Sequence, residues 1–226
     1  MDNWLWLAAA VSLGLSLTPS GETALYPFKL FTTWVHECGH AVMTLLVGGR
    51  VSSITIEPDT SGLTRSLIPD GHLARALVAS AGYLGASIVG CLLVAATRVE
   101  KWTRPILWSL GAFMLVTLVV WMRNLFGAGV VLAWGAVLVA LARHGGSTAL
   151  RFVLSLLAIQ VALDALYDIR VLFLVQGRPT DAETMARLFW LPAWVWAGIW
   201  MAASVAMFAW TLSLARVRAP RWVAGR

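Results

Sequence analysis

Two histidines and a glutamate stand in the run FTTWVHECGHAVMTLLVGG, residues 31–49, which otherwise has the apolar character of a membrane span. Moving an ionisable side chain into hydrocarbon costs roughly 2.5 to 3.5 kcal/mol even on the lenient insertion scale, so such groups carry a partner or a task. On a helix His36 and His40, four residues apart, share a face, and Glu37 lies beside them. This is the His-Glu-x-x-His spacing in which two imidazoles hold zinc and the glutamate addresses a water molecule as general base. The competing explanation is a pair of buried histidines satisfied by hydrogen bonds between helices. It leaves Glu37 without a counter-charge, because no Lys or Arg occurs between Lys29 and Arg50. Cys38 falls on another face and reads as a packing residue.

A catalytic zinc takes three protein ligands as a rule and keeps a further position for water, so a third ligand has to come from elsewhere. In AIQVALDALYDIRVLFL, residues 158–174, Gln160, Asp164 and Asp168 recur every four residues and form one polar stripe. Two carboxylates on a membrane helix call for a cation, and a metal on a neighbouring helix would supply one. Asp168 is therefore the first choice for the third ligand and Asp164 the second; pairing with Arg170 is the plainer account of both. Asp181 is a further candidate, but TDAE at 180–183 also reads as a capping box, Thr180 with Glu183, opening the last helix. His72 and His144, each beside glycine, read as solvated loop residues.

The elements that must position these residues follow from composition. The chain has 226 residues, 59% of them hydrophobic and 12% charged, and a mean hydropathy of +0.78, outside the range of soluble globular domains. Thirteen tryptophans fit a bilayer, whose headgroup boundary favours indole. Trp4, Trp6, Trp102, Trp121 and Trp190 lie near segment ends, whereas Trp34, Trp134 and Trp210 read as packing residues. The net charge of +6 forms no basic stripe and so gives no reason to expect nucleic acid; positive flanks of membrane spans account for it. Cys38 and Cys91 both fall inside expected spans, which argues against a disulfide framework.

Spans are expected at 28–48, 74–96, 104–122, 125–142, 149–175 and 189–214, with a short retained first helix at 3–18. The reading is an all-α integral membrane protein of six to seven transmembrane helices, one domain over residues 1–226 with its core at 28–214 and a basic tail at 215–226. Arg123 and Asn124 break the long apolar stretch from Ile106 to Leu141 into a helical hairpin. Residues 51–69, VSSITIEPDTSGLTRSLIP, alternate apolar and polar side chains around the turn-forming PDTSG and predict one small β-hairpin directly after the zinc-motif helix. In helix three Gly82, Ala86 and Gly90 repeat every four residues, which lets two backbones approach closely and suits a helix backing the His36 helix. With seven spans, an outside N-terminus places Lys29, Arg98, Lys101, Arg104, Arg143, Arg151, Arg216, Arg218, Arg221 and Arg226 inside and the hairpin outside.

At HECGHA (36–41), the glycine pair and hairpin from Gly48 to Ser66, AGYLG (81–85), LYDI (166–169) and TDA (180–182), the sequence resembles the site-2 protease family of intramembrane zinc metallopeptidases, in particular its small B-like branch. The resemblance spans roughly residues 28–200. It implies that His36, His40 and Asp168 bind Zn2+ and that Glu37 is the catalytic base. It further implies a substrate that is a membrane protein with a transmembrane helix, a multi-pass location in the lipid bilayer, and a hairpin facing the cytosol; the preference for Arg over Lys is the compositional reason to expect a bacterial cell membrane. Better-studied members carry Leu-Asp-Gly at the third ligand, whereas Ile169 follows Asp168 here. Two other functions are compatible with the same residues: a non-catalytic membrane scaffold that retains the metal-binding helix, and a cation transporter using His36, His40, Asp164 and Asp168. Against the transporter, the chain has no second half repeating the motif.

Overall fold

In the computed structural model, residues 3–174 and 180–216 are described. They form α1 (Asn3–Ser16), α2 (Pro19–Leu46), β1 (Arg50–Ile56), β2 (Gly62–Leu67), α3 (His72–Ala96), α4 (Glu100–Val120), α5 (Leu125–His144), α6 (Ser147–Leu172), α7 (Asp181–Phe189) and α8 (Ala193–Arg216). Five helices, α3, α4, α5, α6 and α8, are long and apolar enough to cross a bilayer, and the chain is an integral membrane protein. The remaining two of the seven expected spans differ in kind. The 14 residues of α1 extend about 21 Å, short of the roughly 30 Å hydrocarbon core. With 28 residues, about 42 Å, α2 has length to spare, and it is the polar groups along it that lower its hydropathy.

The expected boundaries shift where local chemistry intervenes. α2 begins at Pro19 rather than at residue 28, because the Thr18 hydroxyl accepts the Gly21 N–H at 3.1 Å and proline suits the first helical position. The helix continues through Pro27, whose carbonyl accepts the Trp134 indole N–H at 3.0 Å. The expected final span, 189–214, is preceded by a separate helix: Trp190 adopts a left-handed conformation (φ 61°) and Pro192 follows, so α7 ends and α8 starts afresh at Ala193. Residue 175, the expected end of the sixth span, and the tail beyond residue 216 lie outside the described residues.

β1 and β2 pair antiparallel from Arg50 opposite Leu67 to Ile56 opposite Gly62, with an irregularity between Val51 and Ser53. The alternation that predicts the hairpin also anchors it, since Ile54 and Ile56 are fully buried. The other edge of β1 is taken. The Ile54 N–H donates to the Trp121 carbonyl at 2.7 Å, the Arg123 N–H donates to the Ile54 carbonyl at 3.1 Å, and the Asn124 amide brackets the Ile56 backbone at 3.2 and 2.7 Å. The α4–α5 connection thus acts as a third strand, and among the described residues β2 carries the sheet's unpaired edge.

The core lies where α2, α3 and α6 meet, with α4 and α5 packed to one side and α8 to the other. The small-residue stripe on α3 serves two neighbours. Gly82 faces α2, and Gly90 lies against Ala162 of α6. Trp34 is buried and donates to the Thr117 hydroxyl at 3.0 Å, joining α2 to α4. Trp134 packs edge-on against Phe28, as a packing residue should, but Trp210 points outward from α8.

Candidate metal centre

His36 and His40 are presented one turn apart on the face of α2 that meets α3, and their Nε2 atoms lie 3.0 Å apart. The Nδ1 of His40 is 2.7 Å from the Val78 carbonyl; a carbonyl can only accept, so Nδ1 carries the proton and Nε2 presents its lone pair inward. The His36 ring is held edge-on by Tyr83, with centroids 4.6 Å apart, and Tyr83 in turn stacks on Trp200. Space for the two rings is made by Gly82, where a Cβ would collide with both Nε2 atoms.

The third member of the cluster is Asp181. Its Oδ2 lies 3.4 Å from His36 Nε2 and 3.2 Å from His40 Nε2, and one ligand atom from each of the three residues falls within 4.8 Å of the other two. Local sequence explains how it arrives there. The Thr180 hydroxyl caps α7 by accepting the Glu183 N–H at 3.2 Å, so the cap is satisfied without Asp181. Ala182 and Met185 bury α7 beside Ala76 and Ala79 of α3, Ile169 of α6 and Trp200 of α8, and this docking turns the first residue of α7 toward α2. Burial pushes the Asp181 carboxyl up, but the facing His40 and His36 rings, when protonated, more than reverse this and hold it below the usual carboxylate range.

The residues of the α6 stripe go elsewhere. Asp168, the first choice from sequence, lines the same cavity of about 890 Å³ but stands outside the three-residue cluster. Asp164 meets α2 at the Thr32 hydroxyl, 3.1 Å away, one turn before His36, and Gln160 is buried deeper still. His36 is the stronger favourable partner of Asp168, and Lys29 of α2 acts on both carboxylates. Its ammonium lies 6.0 Å from the centre of the Tyr167 ring.

Glu37 is buried, 5% exposed, beneath the hairpin. The Thr64 hydroxyl of β2 donates to Glu37 Oε2 at 2.6 Å and also lies 3.0 Å from the Glu37 carbonyl. Gly62 permits the contact, because a Cβ there would stand 2.6 Å from Glu37 Oε1. Tyr83 lies in AGYLG and Gly62 closes PDTSG, but neither motif, and nothing about Thr64, assigns these residues a place at the site. Asp181 did carry one: in TDAE the capping box uses Thr180 and Glu183 and leaves the aspartate spare.

The donor set suits zinc. Two imidazole nitrogens and a carboxylate oxygen converge, one imidazole is fixed in its tautomer by a backbone acceptor, and a glycine leaves room in front of both rings. Membrane-crossing helices around a cavity built on a His-Glu-x-x-His motif are the hallmark of the membrane-embedded metallopeptidases. The family model described as Peptidase M50B-like matches residues 6–211, and the chain belongs to that family, whose peptidases are zinc-dependent. No curated protein and no solved structure matches the chain.

Proposed function

We propose that this protein is an intramembrane zinc metalloendopeptidase that hydrolyses a peptide bond in or near a transmembrane segment of a membrane-protein substrate. The observation that carries this reading is the convergence of His36, His40 and Asp181 beside the buried carboxylate of Glu37, in a cavity bordered by an unpaired strand edge. His36, His40 and Asp181 would hold the metal. Zinc supplies, when bound, a water acidified toward a pKa of about 7 and a Lewis acid for the scissile carbonyl.

Glu37 takes the proton from the attacking water as its oxygen bonds to the carbonyl carbon. It then delivers that proton to the amide nitrogen as the C–N bond breaks, leaving an amine and a carboxylic acid, whose own proton passes to the amine to give ammonium and carboxylate. Thr64 holds Oε2 of the base in place during this exchange. The substrate helix has to unwind first, because a helical carbonyl is hydrogen-bonded and shielded. Since β1 is closed by Trp121 and Arg123, β2 is the edge on which an unwound segment can add as a strand, next to Glu37.

The test is zinc per chain in detergent-purified protein, with Asp181→Ala and Asp168→Ala alongside. One zinc in the parent and in Asp168→Ala, with little in Asp181→Ala, is the expected result. Metal lost from Asp168→Ala and kept by Asp181→Ala would return the third ligand to α6. No zinc in the parent would favour a scaffold that keeps the helix without the chemistry.

A further inference from the structure

The walls of the metal-centre cavity are charged unevenly. Glu37, Asp168 and Asp181 bring three carboxylates to it, whereas among the described residues that line it Arg75 is the only lysine or arginine. Arg75 belongs to the first turn of α3. Arg75, Ala79 and Tyr83 recur every four residues and all three line the cavity, so one face of α3 forms its wall. Tyr83 marks the level of the metal centre, since its ring packs edge-on against His36. From Tyr83 to Arg75 is eight residues of helix, about 12 Å, which puts the guanidinium at the mouth of the cavity, where α3 begins beside the exposed Asp70 and Gly71.

The free edge of β2 covers the same interval. Thr64 bonds Glu37 at the level of the metal centre, and two residues later the Ser66 hydroxyl accepts from Thr44 of α2 at 3.0 Å. α2 and α3 run antiparallel, with His36 against Tyr83 and His40 against Val78, so Thr44, one turn beyond His40, comes level with Arg75. A substrate segment added to β2 with its scissile carbonyl beside Glu37 is extended, at about 3.3 Å per residue, and reaches Arg75 after three or four residues. Arg75 is loosely held: one guanidinium nitrogen lies 3.4 Å from Oδ1 of Asp70, whose side chain is fully exposed. Such a surface pair contributes little, and a carboxylate delivered along β2 can take its place.

We infer that Arg75 selects substrates that carry an acidic residue three or four positions from the scissile bond, on the flank that leaves the bilayer. The preference is confined to that position. A carboxylate next to the scissile bond faces Glu37 and Asp168, and a lysine at the mouth faces Arg75. This deepens the proteolytic reading of the cavity and rests on it.

The experiment measures peptide binding to the full chain carrying Glu37→Gln, purified with zinc and held in phosphatidylcholine nanodiscs. The probes are three synthetic transmembrane peptides with the same apolar span and a Gly-Pro break in its last turn. They differ only in the residue at the membrane border, which is Glu, Gln or Lys. The Glu peptide is expected to bind about fivefold more tightly than the Gln peptide and the Lys peptide more weakly than either, with the gap narrowing in high salt. Adding Arg75→Gln removes this order and Arg75→Glu reverses it, whereas Arg65→Gln, at an exposed cation of β2 outside the cavity lining, leaves it intact. The inference is overturned if the three peptides bind alike or not at all, if Arg75→Gln keeps the order, or if Arg65→Gln loses it as fully. Cleavage of the same peptides by the parent separates the two readings. Cleavage without a charge order removes Arg75 and keeps the protease, and ordered binding without cleavage counts against the protease and keeps Arg75 as a reader of helix flanks.

Discussion

Two helices of this protein each carry a pair of ionisable residues four apart, and their fates differ. His36 and His40 on α2 converge with Asp181 on one point, whereas Asp164 and Asp168 on α6 diverge, the former to Thr32 and the latter to the cavity wall. Spacing alone does not separate the two pairs, since both place their side chains on one helical face. What separates them is the element opposite. α2 faces the small residues of α3, where Gly82 leaves room for two rings and Val78 offers a carbonyl, and α7 docks above with a spare carboxylate. α6 meets α2 a turn lower, where Asp164 finds the Thr32 hydroxyl and Lys29 is the nearby lysine, and no second imidazole or third element closes a cluster around the two carboxylates.

The largest effect that could break this contrast is on turnover. Glu37→Gln keeps the shape of the base and removes its proton-accepting charge, so cleavage of a membrane substrate should fall by about 10² to 10⁴, the usual worth of a general base, with zinc content unchanged. Activity near that of the parent would take Glu37 out of the base role. Next in size is the zinc content of Asp181→Ala against that of Asp168→Ala, which asks directly which pair of elements builds the centre.

Gly82→Ala sharpens the role of the opposite element. Its Cβ would collide with the Nε2 atoms of both histidines, so at least one ring has to turn away, and zinc per chain should drop well below one while helical content is kept. Gly85→Ala is the control on the same helix. A Cβ there meets only Gly39 Cα at 3.5 Å, an ordinary contact, and zinc should stay at the parent level. Equal zinc in both variants would mean that the α3 backbone does not set the ring positions.

The fold was legible wherever one local signal decided the outcome. The hairpin followed from alternation at Ile54 and Ile56, the α4–α5 break from Arg123 and Asn124, and the histidine pair from spacing. The rest depended on which surfaces meet. A capping pattern at Thr180 suffices to explain TDAE locally, whereas the polar stripe of α6 displays Asp164 and Asp168 openly; only the docking of Ala182 and Met185 against α3, α6 and α8 brings Asp181 to the histidines. Asn124 likewise has a clear task as the bracket of Ile56, one that exists only because β1 comes to lie beside the α4–α5 turn. The separation of α7 from the last span rests on Trp190 and Pro192, a pair that apolar composition conceals.

The finest test compares two threonines that each donate to a carboxylate across elements. Thr64 reaches Glu37 at 2.6 Å from the hairpin, and Thr32 reaches Asp164 at 3.1 Å from α2. Were both merely structural, valine at either position would cost stability and leave the chemical step alone. If Thr64 orients the base, Thr64→Val lowers kcat about tenfold, in line with one hydrogen bond to a charged group, while Thr64→Ser restores it and zinc stays bound. Thr32→Val should leave kcat within about twofold of the parent, because Asp164 takes no part in the proton transfer and retains Lys29 as its cation. A loss of kcat in Thr32→Val equal to that in Thr64→Val would join the α6 stripe to the catalytic machinery and remove the distinction between the two helices.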